Sequence, residues 1–144
     1  MSDAFLGTWE GTTPCGEAKG FDEFCEEMKT PEKMIKEFSK TVFSLALRKK
    51  DDSRWDIDMI IDGKVAKSTE FTSGKEFDTV GLDGKEYKIL LVMNDTEMTE
   101  NAVPKDGSSA GSKTTRTIKD GIMTVKSSAN SNPNKCMTFT MKKK

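Results

Sequence analysis

This sequence predicts an all-β fold: a ten-stranded antiparallel up-and-down β-barrel with two short helices between the first and second strands. Three observations carry that expectation. From Thr41 onward apolar residues alternate with polar ones, the period of a half-buried strand. Four Asp-Gly pairs (Asp62-Gly63, Asp83-Gly84, Asp106-Gly107 and Asp120-Gly121) fall between the alternating runs. That dipeptide suits the φ > 0 positions of a tight hairpin turn, so the runs read as an antiparallel meander. A helical period is confined to residues 20–40. Closing such a sheet into a barrel removes its exposed edges.

Taken in order, Phe5 to about Thr13 reads as the first strand, with Trp9 as a core residue near one barrel end. Phe21, Phe24, Cys25 and Met28 then recur at i, i+3, i+4 and i+7, one face of a helix, opposite Asp22, Glu23, Glu26 and Glu27. Thr30 is the expected N-cap of a second helix, with Pro31 at its first position. Met34, Ile35 and Phe38 form its apolar face, and Lys33, Lys36 and Lys40 line the other side. Helices this short are stable only when packed on something else.

The strands follow. Phe43, Leu45 and Leu47 alternate in one, and Trp55, Ile57, Met59 and Ile61 in the next. Val65–Thr72 and Glu76–Val80 flank a Ser73-Gly74 break, and Tyr87, Ile89, Leu91 and Met93 alternate after Asp83-Gly84. Thr96–Val103 is a weaker strand, and the turn-rich stretch 104–112 reads as a loose hairpin loop. Thr114–Ile118 and Ile122–Lys126 pair around Asp120-Gly121. A polar loop is expected over 127–134 before the last strand, Lys135–Lys144.

The 144 residues suit one domain spanning 1–144. Lysine and arginine (23) nearly balance aspartate and glutamate (24), so no nucleic-acid footprint is indicated. No apolar run reaches the roughly 20 residues of a membrane helix. No basic region followed by a hydrophobic core opens the chain. The three cysteines, Cys15, Cys25 and Cys136, are widely spaced and read as reduced thiols of a cytoplasmic protein. Histidine is absent, which removes the commonest metal ligand and the commonest neutral-pH base. A carboxylate enzyme would draw on Asp56, Asp58 or Asp62 with Arg116, but no second feature supports chemistry, and the expectation is a non-enzyme without a cofactor.

Several segments carry a resemblance. They are Asp3-Ala4-Phe5-Leu6-Gly7-Thr8-Trp9, Gly20-Phe21-Asp22-Glu23-Phe24, Lys67-Ser68-Thr69-Glu70-Phe71, Gly74-Lys75-Glu76-Phe77-Asp78 and Arg116-Thr117-Ile118-Lys119-Asp120-Gly121. Together they make the chain similar to the intracellular fatty-acid-binding proteins, of the calycin superfamily. The resemblance covers nearly the whole chain. It departs at Lys29-Thr30-Pro31, where the family has a Gly-rich link between its helices.

The resemblance implies a monomeric lipid carrier whose helix pair forms a lid over an internal cavity for a fatty acid or another small hydrophobic ligand. It also implies a carboxylate clamp of an eighth-strand Arg with an Arg and a Tyr on the tenth strand. Arg116 matches the first position, but Phe139 and Met141 stand at the other two. Facing Met137, Phe139 and Met141 outward would forfeit about 1.5–3 kcal/mol each, so Phe139 is expected to point in. Phe139 and Met141 filling the interior would leave little room for a long chain.

Three readings stay open. Arg116 alone holds a fatty-acid head group. Alternatively the ligand is neutral, or retinoid-like, or keeps its head at the portal near Lys33, Lys36 or Lys67. In the third, Arg116 is paired with a barrel carboxylate and the protein has a structural or stress role. Phe21 and Met28 would meet a ligand from the lid, and nine methionines suit an adaptable lining. The lysines of the second helix allow transient contact with an anionic membrane surface.

Overall fold

The computed structural model describes residues 2–144. Ten antiparallel strands form one sheet: β1 (Gly7–Gly11), β2 (Phe43–Lys49), β3 (Arg54–Ile61), β4 (Lys64–Thr72), β5 (Phe77–Val80), β6 (Glu86–Met93), β7 (Glu97–Pro104), β8 (Ser112–Lys119), β9 (Ile122–Ala129) and β10 (Asn132–Lys143). Helices α1 (Phe21–Glu27) and α2 (Glu32–Ser39) lie between β1 and β2, as the sequence predicts.

Each strand pairs with its neighbour in sequence, and β10 returns to pair with β1, where Trp9 faces Lys143 and Gly11 faces Met141. The ladder stops between β4 and β5, the two edges of the sheet. The barrel expected from the sequence is therefore present and nearly closed, with a seam at that one line. Lys67 on β4 reaches across it and donates its ammonium to the Val80 carbonyl on β5.

The lower barrel is filled. Trp9, Trp55, Phe5, Leu45, Leu47, Met98, Met123 and Met141 are almost wholly buried in one cluster. The inward rows of the alternating strands meet there, which is what the two-residue period requires. Trp9 donates its indole N–H to the Phe5 carbonyl at 3.0 Å, so the large apolar ring carries no unpaired donor.

Local chemistry explains where the expected boundaries moved. Ser2–Phe5 forms a 3-10 turn, so β1 begins at Gly7, and a second such turn spans Cys15–Glu17. Pro31 occupies the cap position of α2, not its first turn, and Thr30 does not cap it. Thr30 instead closes α1. Its N–H bonds the Cys25 carbonyl at 3.0 Å, while Lys29 N–H bonds that of Glu26 at 3.1 Å. These are the two bonds of a Schellman ending, with Lys29 in the left-handed region at φ 56° where glycine is usual.

The loops are also shorter than expected. β7 runs on to Pro104, and β8 begins at Ser112. Across 127–134 the polar residues continue β9 and begin β10, leaving a turn at 130–131. Ser127 is buried there because its hydroxyl meets that of Thr114 at 2.8 Å.

Candidate functional site

The helix pair roofs one end of the barrel. Lys19 and Thr138 exchange two backbone hydrogen bonds, of 3.1 and 2.8 Å, which pin the approach to α1 onto β10. Gly20 follows at φ 82°, and a Cβ there would lie 1.9 Å from the Cys136 carbonyl oxygen. Only glycine allows this approach. Below it, Cys15, Ala18, Phe21 and Cys25 form a second apolar cluster, with Ile35, Phe38, Phe43, Met137 and Phe139 packed against it.

A cavity of about 380 Å³ lies beneath this roof. Phe21, Phe24 and Cys25 face it from α1, Met28 from the residue that caps it, and Met34 and Phe38 from α2. The opposite wall is Tyr87 and Ile89 on β6 with Glu100, Ala102 and Pro104 on β7. The volume falls at the lower end of the roughly 300–1,000 Å³ usual for small-molecule sites.

Two polar groupings interrupt the apolar wall. Tyr87 donates its hydroxyl to Asp83, and burial, then this bond, pushes the phenol well above its ordinary range. Arg116 on β8 donates from Nη1 to Glu100 Oε1 at 2.9 Å, the two side chains being 8% and 24% exposed. Glu100 faces the cavity while Arg116 lies behind it. The Arg116 Nε is buried without a hydrogen-bond partner in the protein. Lys67 has its pKa lowered by burial, against the pull of Glu100 and Asp83.

Cys15 and Cys25 also line the cavity. Burial, reinforced by the neighbouring Cys25, pushes the Cys15 thiol up to about 11. Burial raises that of Cys25 as well, with a hydrogen bond from Thr30 opposing it.

The residues singled out from the sequence are therefore scattered through the barrel. Phe21 and Met28 are in the cavity wall. Phe139 packs against both apolar clusters, and Met141 is 2% exposed within the lower one, so both point inward and fill space. Arg116 is inside the barrel but reaches the cavity through Glu100, and Lys67 is spent on the seam. Asp58 belongs to the outer face of β3, where it takes Arg48 and Ser68. Glu100, Asp83 and Tyr87 were missed by sequence reasoning. Glu100 was in view as an acid in phase with the inward Met98, Ala102 and Pro104 on β7.

The sequence matches no protein-family model and no curated protein sequence. The fold, by contrast, is widely shared: it is that of the fatty-acid-binding proteins. A Schistosoma mansoni fatty acid binding protein in complex with arachidonic acid superimposes with a TM-score of 0.82 at 17% identity, covering 99% of this chain and 98% of that one. Echinococcus granulosus fatty-acid-binding protein 1 gives 0.80 at 18% identity, covering 98% of each chain. Secretory abundant heat soluble protein 4 from Ramazzottius varieornatus gives 0.82 at 16% identity, covering 99% of this chain and 96% of that one.

Proposed function

We propose that this protein binds and carries one small hydrophobic ligand, of the lipid class that includes fatty acids, held in the cavity beneath its helical lid and above the barrel interior that Phe139 and Met141 fill. The observation that carries this reading is the cavity itself: an apolar chamber of about 380 Å³, roofed by α1 and α2, with a few polar groups on one wall. Such a chamber removes an aliphatic chain from water, at about 25 cal/mol per Å² of apolar surface buried. Structures of the same fold are named for the fatty acids they bind, which supports an aliphatic occupant.

A second reading has its own observation. The lower barrel is plugged by Met98, Met123 and Met141, and one similar structure is named a heat soluble protein. A protective protein on the same fold would need no occupant.

Native mass spectrometry of the purified protein, with organic extraction of what it carries, separates the two. The carrier reading expects one hydrophobic molecule per chain, displaced by an added single-chain amphiphile. No bound molecule, and no uptake of any lipid offered, would leave the protective reading standing.

A further inference from the structure

We propose that the preferred ligand ends in an uncharged hydroxyl group, and that Glu100 is the residue that sets this preference against carboxylates. The proposal rests on the reading of the lid cavity as a ligand chamber.

The argument starts from the charge of Arg116. Its guanidinium is buried and already paired with Glu100 at 2.9 Å. A ligand carboxylate entering the chamber does not meet a free cation. It meets Glu100, which stands between the chamber and Arg116. To reach the guanidinium it must sit beside a like charge in a low-dielectric wall or displace Glu100 into one, and both are unfavourable. Asp83 adds a second carboxylate to the same lining, and its bound Tyr87 hydroxyl does not remove the charge. No second cation comes from β10, where Phe139 and Met141 face in. Of the nearby lysines, Lys85 already donates to Ser108 at 3.0 Å, Lys29 is exposed on the rim at the end of α1, and Lys67, which feels both Glu100 and Asp83, is held on the Val80 carbonyl at the seam.

A hydroxyl suits the same groups. A carboxylate accepts several hydrogen bonds, and Glu100 meets Arg116 through one oxygen, so a ligand O–H can donate to it. A carboxylate ligand at neutral pH has no proton to offer. The buried Nε–H of Arg116 lacks an acceptor in the protein. The matching class is a single-chain alcohol or a monoacylglycerol.

The test compares dodecan-1-ol with dodecanoate at pH 7.5, each displacing the uncharged dye Nile red. Any apolar chamber disfavours a carboxylate somewhat, so the deciding quantity is how the alcohol-to-carboxylate affinity ratio changes on mutation. The wild type should favour the alcohol at least tenfold. Glu100→Gln, which uncovers the Arg116 charge, should cut that ratio tenfold or more by strengthening dodecanoate. A ratio that stays within twofold of wild type overturns the proposal, as does a wild type that prefers dodecanoate.

If Glu100→Gln does not fold, the double variant Glu100→Gln/Arg116→Met removes both charges together. Its ratio should fall at least threefold, and an unchanged ratio overturns the proposal. Failure of the wild type to take up the dye, the alcohol and the acid alike overturns the carrier reading and this inference with it. Uptake with the wrong preference overturns this inference alone.

Discussion

Arg48 lays both terminal nitrogens of its guanidinium on Asp58, Nη1 at 2.8 Å from Oδ2 and Nη2 at 3.0 Å from Oδ1, while Ser68 adds a hydroxyl at 2.7 Å. The three residues lie on adjacent strands β2, β3 and β4, so the cluster ties the outer face of the sheet across two ladders. The hydrogen bonds from Arg48 and then Ser68 hold the Asp58 carboxyl below its ordinary range.

A pH dependence follows from the sign of that shift. A lowered folded-state pKa contributes stability that is present above the unfolded value, near 3.9, and is lost as pH falls through the folded one. Asp58→Asn should therefore cost about 1–3 kcal/mol at pH 7, the range for a hydrogen bond to a charged group. The difference from wild type should shrink below about pH 4, as both chains become neutral at this position. Urea unfolding at pH 7 and pH 3 checks both halves, and an equal gap at the two values would contradict the assignment.

Lys29 gives an opposite expectation. It holds φ 56° at the end of α1, a region that costs a residue with a Cβ roughly 1–2 kcal/mol. Its side chain is exposed, so little packing is lost by removing it. Lys29→Gly should stabilise the protein by about 1 kcal/mol, read as a higher urea midpoint with an unchanged slope.

The thiols report on the chamber. Cys136 is half-buried, whereas Cys15 and Cys25 are buried in its wall, and burial holds the Cys15 thiol near 11. A thiol reagent at pH 8 should label Cys136 first and Cys15 slowest, since the thiolate is the reacting form. Saturating dodecan-1-ol should slow Cys15 and Cys25 further and leave Cys136 unchanged. Uniform labelling of all three, monitored by mass, would place the ligand elsewhere.

These residues show how far the sequence could be read. The two-residue period places Trp9, Trp55, Leu45 and Leu47 in the core because strand geometry forces alternate side chains onto one face. The same rule turns Phe139 and Met141 inward, as expected from the cost of exposing them. The limits of the elements were less legible. Polar residues at 127–129 look like a loop but form strand, because the partner ladders, not their own propensity, satisfy their backbone. The pairing of Glu100 with Arg116 was least visible. The residues are 16 apart, and the contact exists only because β7 and β8 are registered with Met98 opposite Arg116.

The seam between β4 and β5 is where the barrel wall lacks a backbone ladder. Elsewhere, widening the barrel would mean breaking rungs between neighbouring strands. Here the link is the Lys67 contact with Val80, with the turn after β4 tied to β6 by Gly74 N–H on the Leu91 carbonyl and Met93 N–H on the Ser73 hydroxyl, both at 2.8 Å. The two edges are thus the one place in the ladder where neighbouring strands meet through side chains and flanking turns and not through backbone rungs.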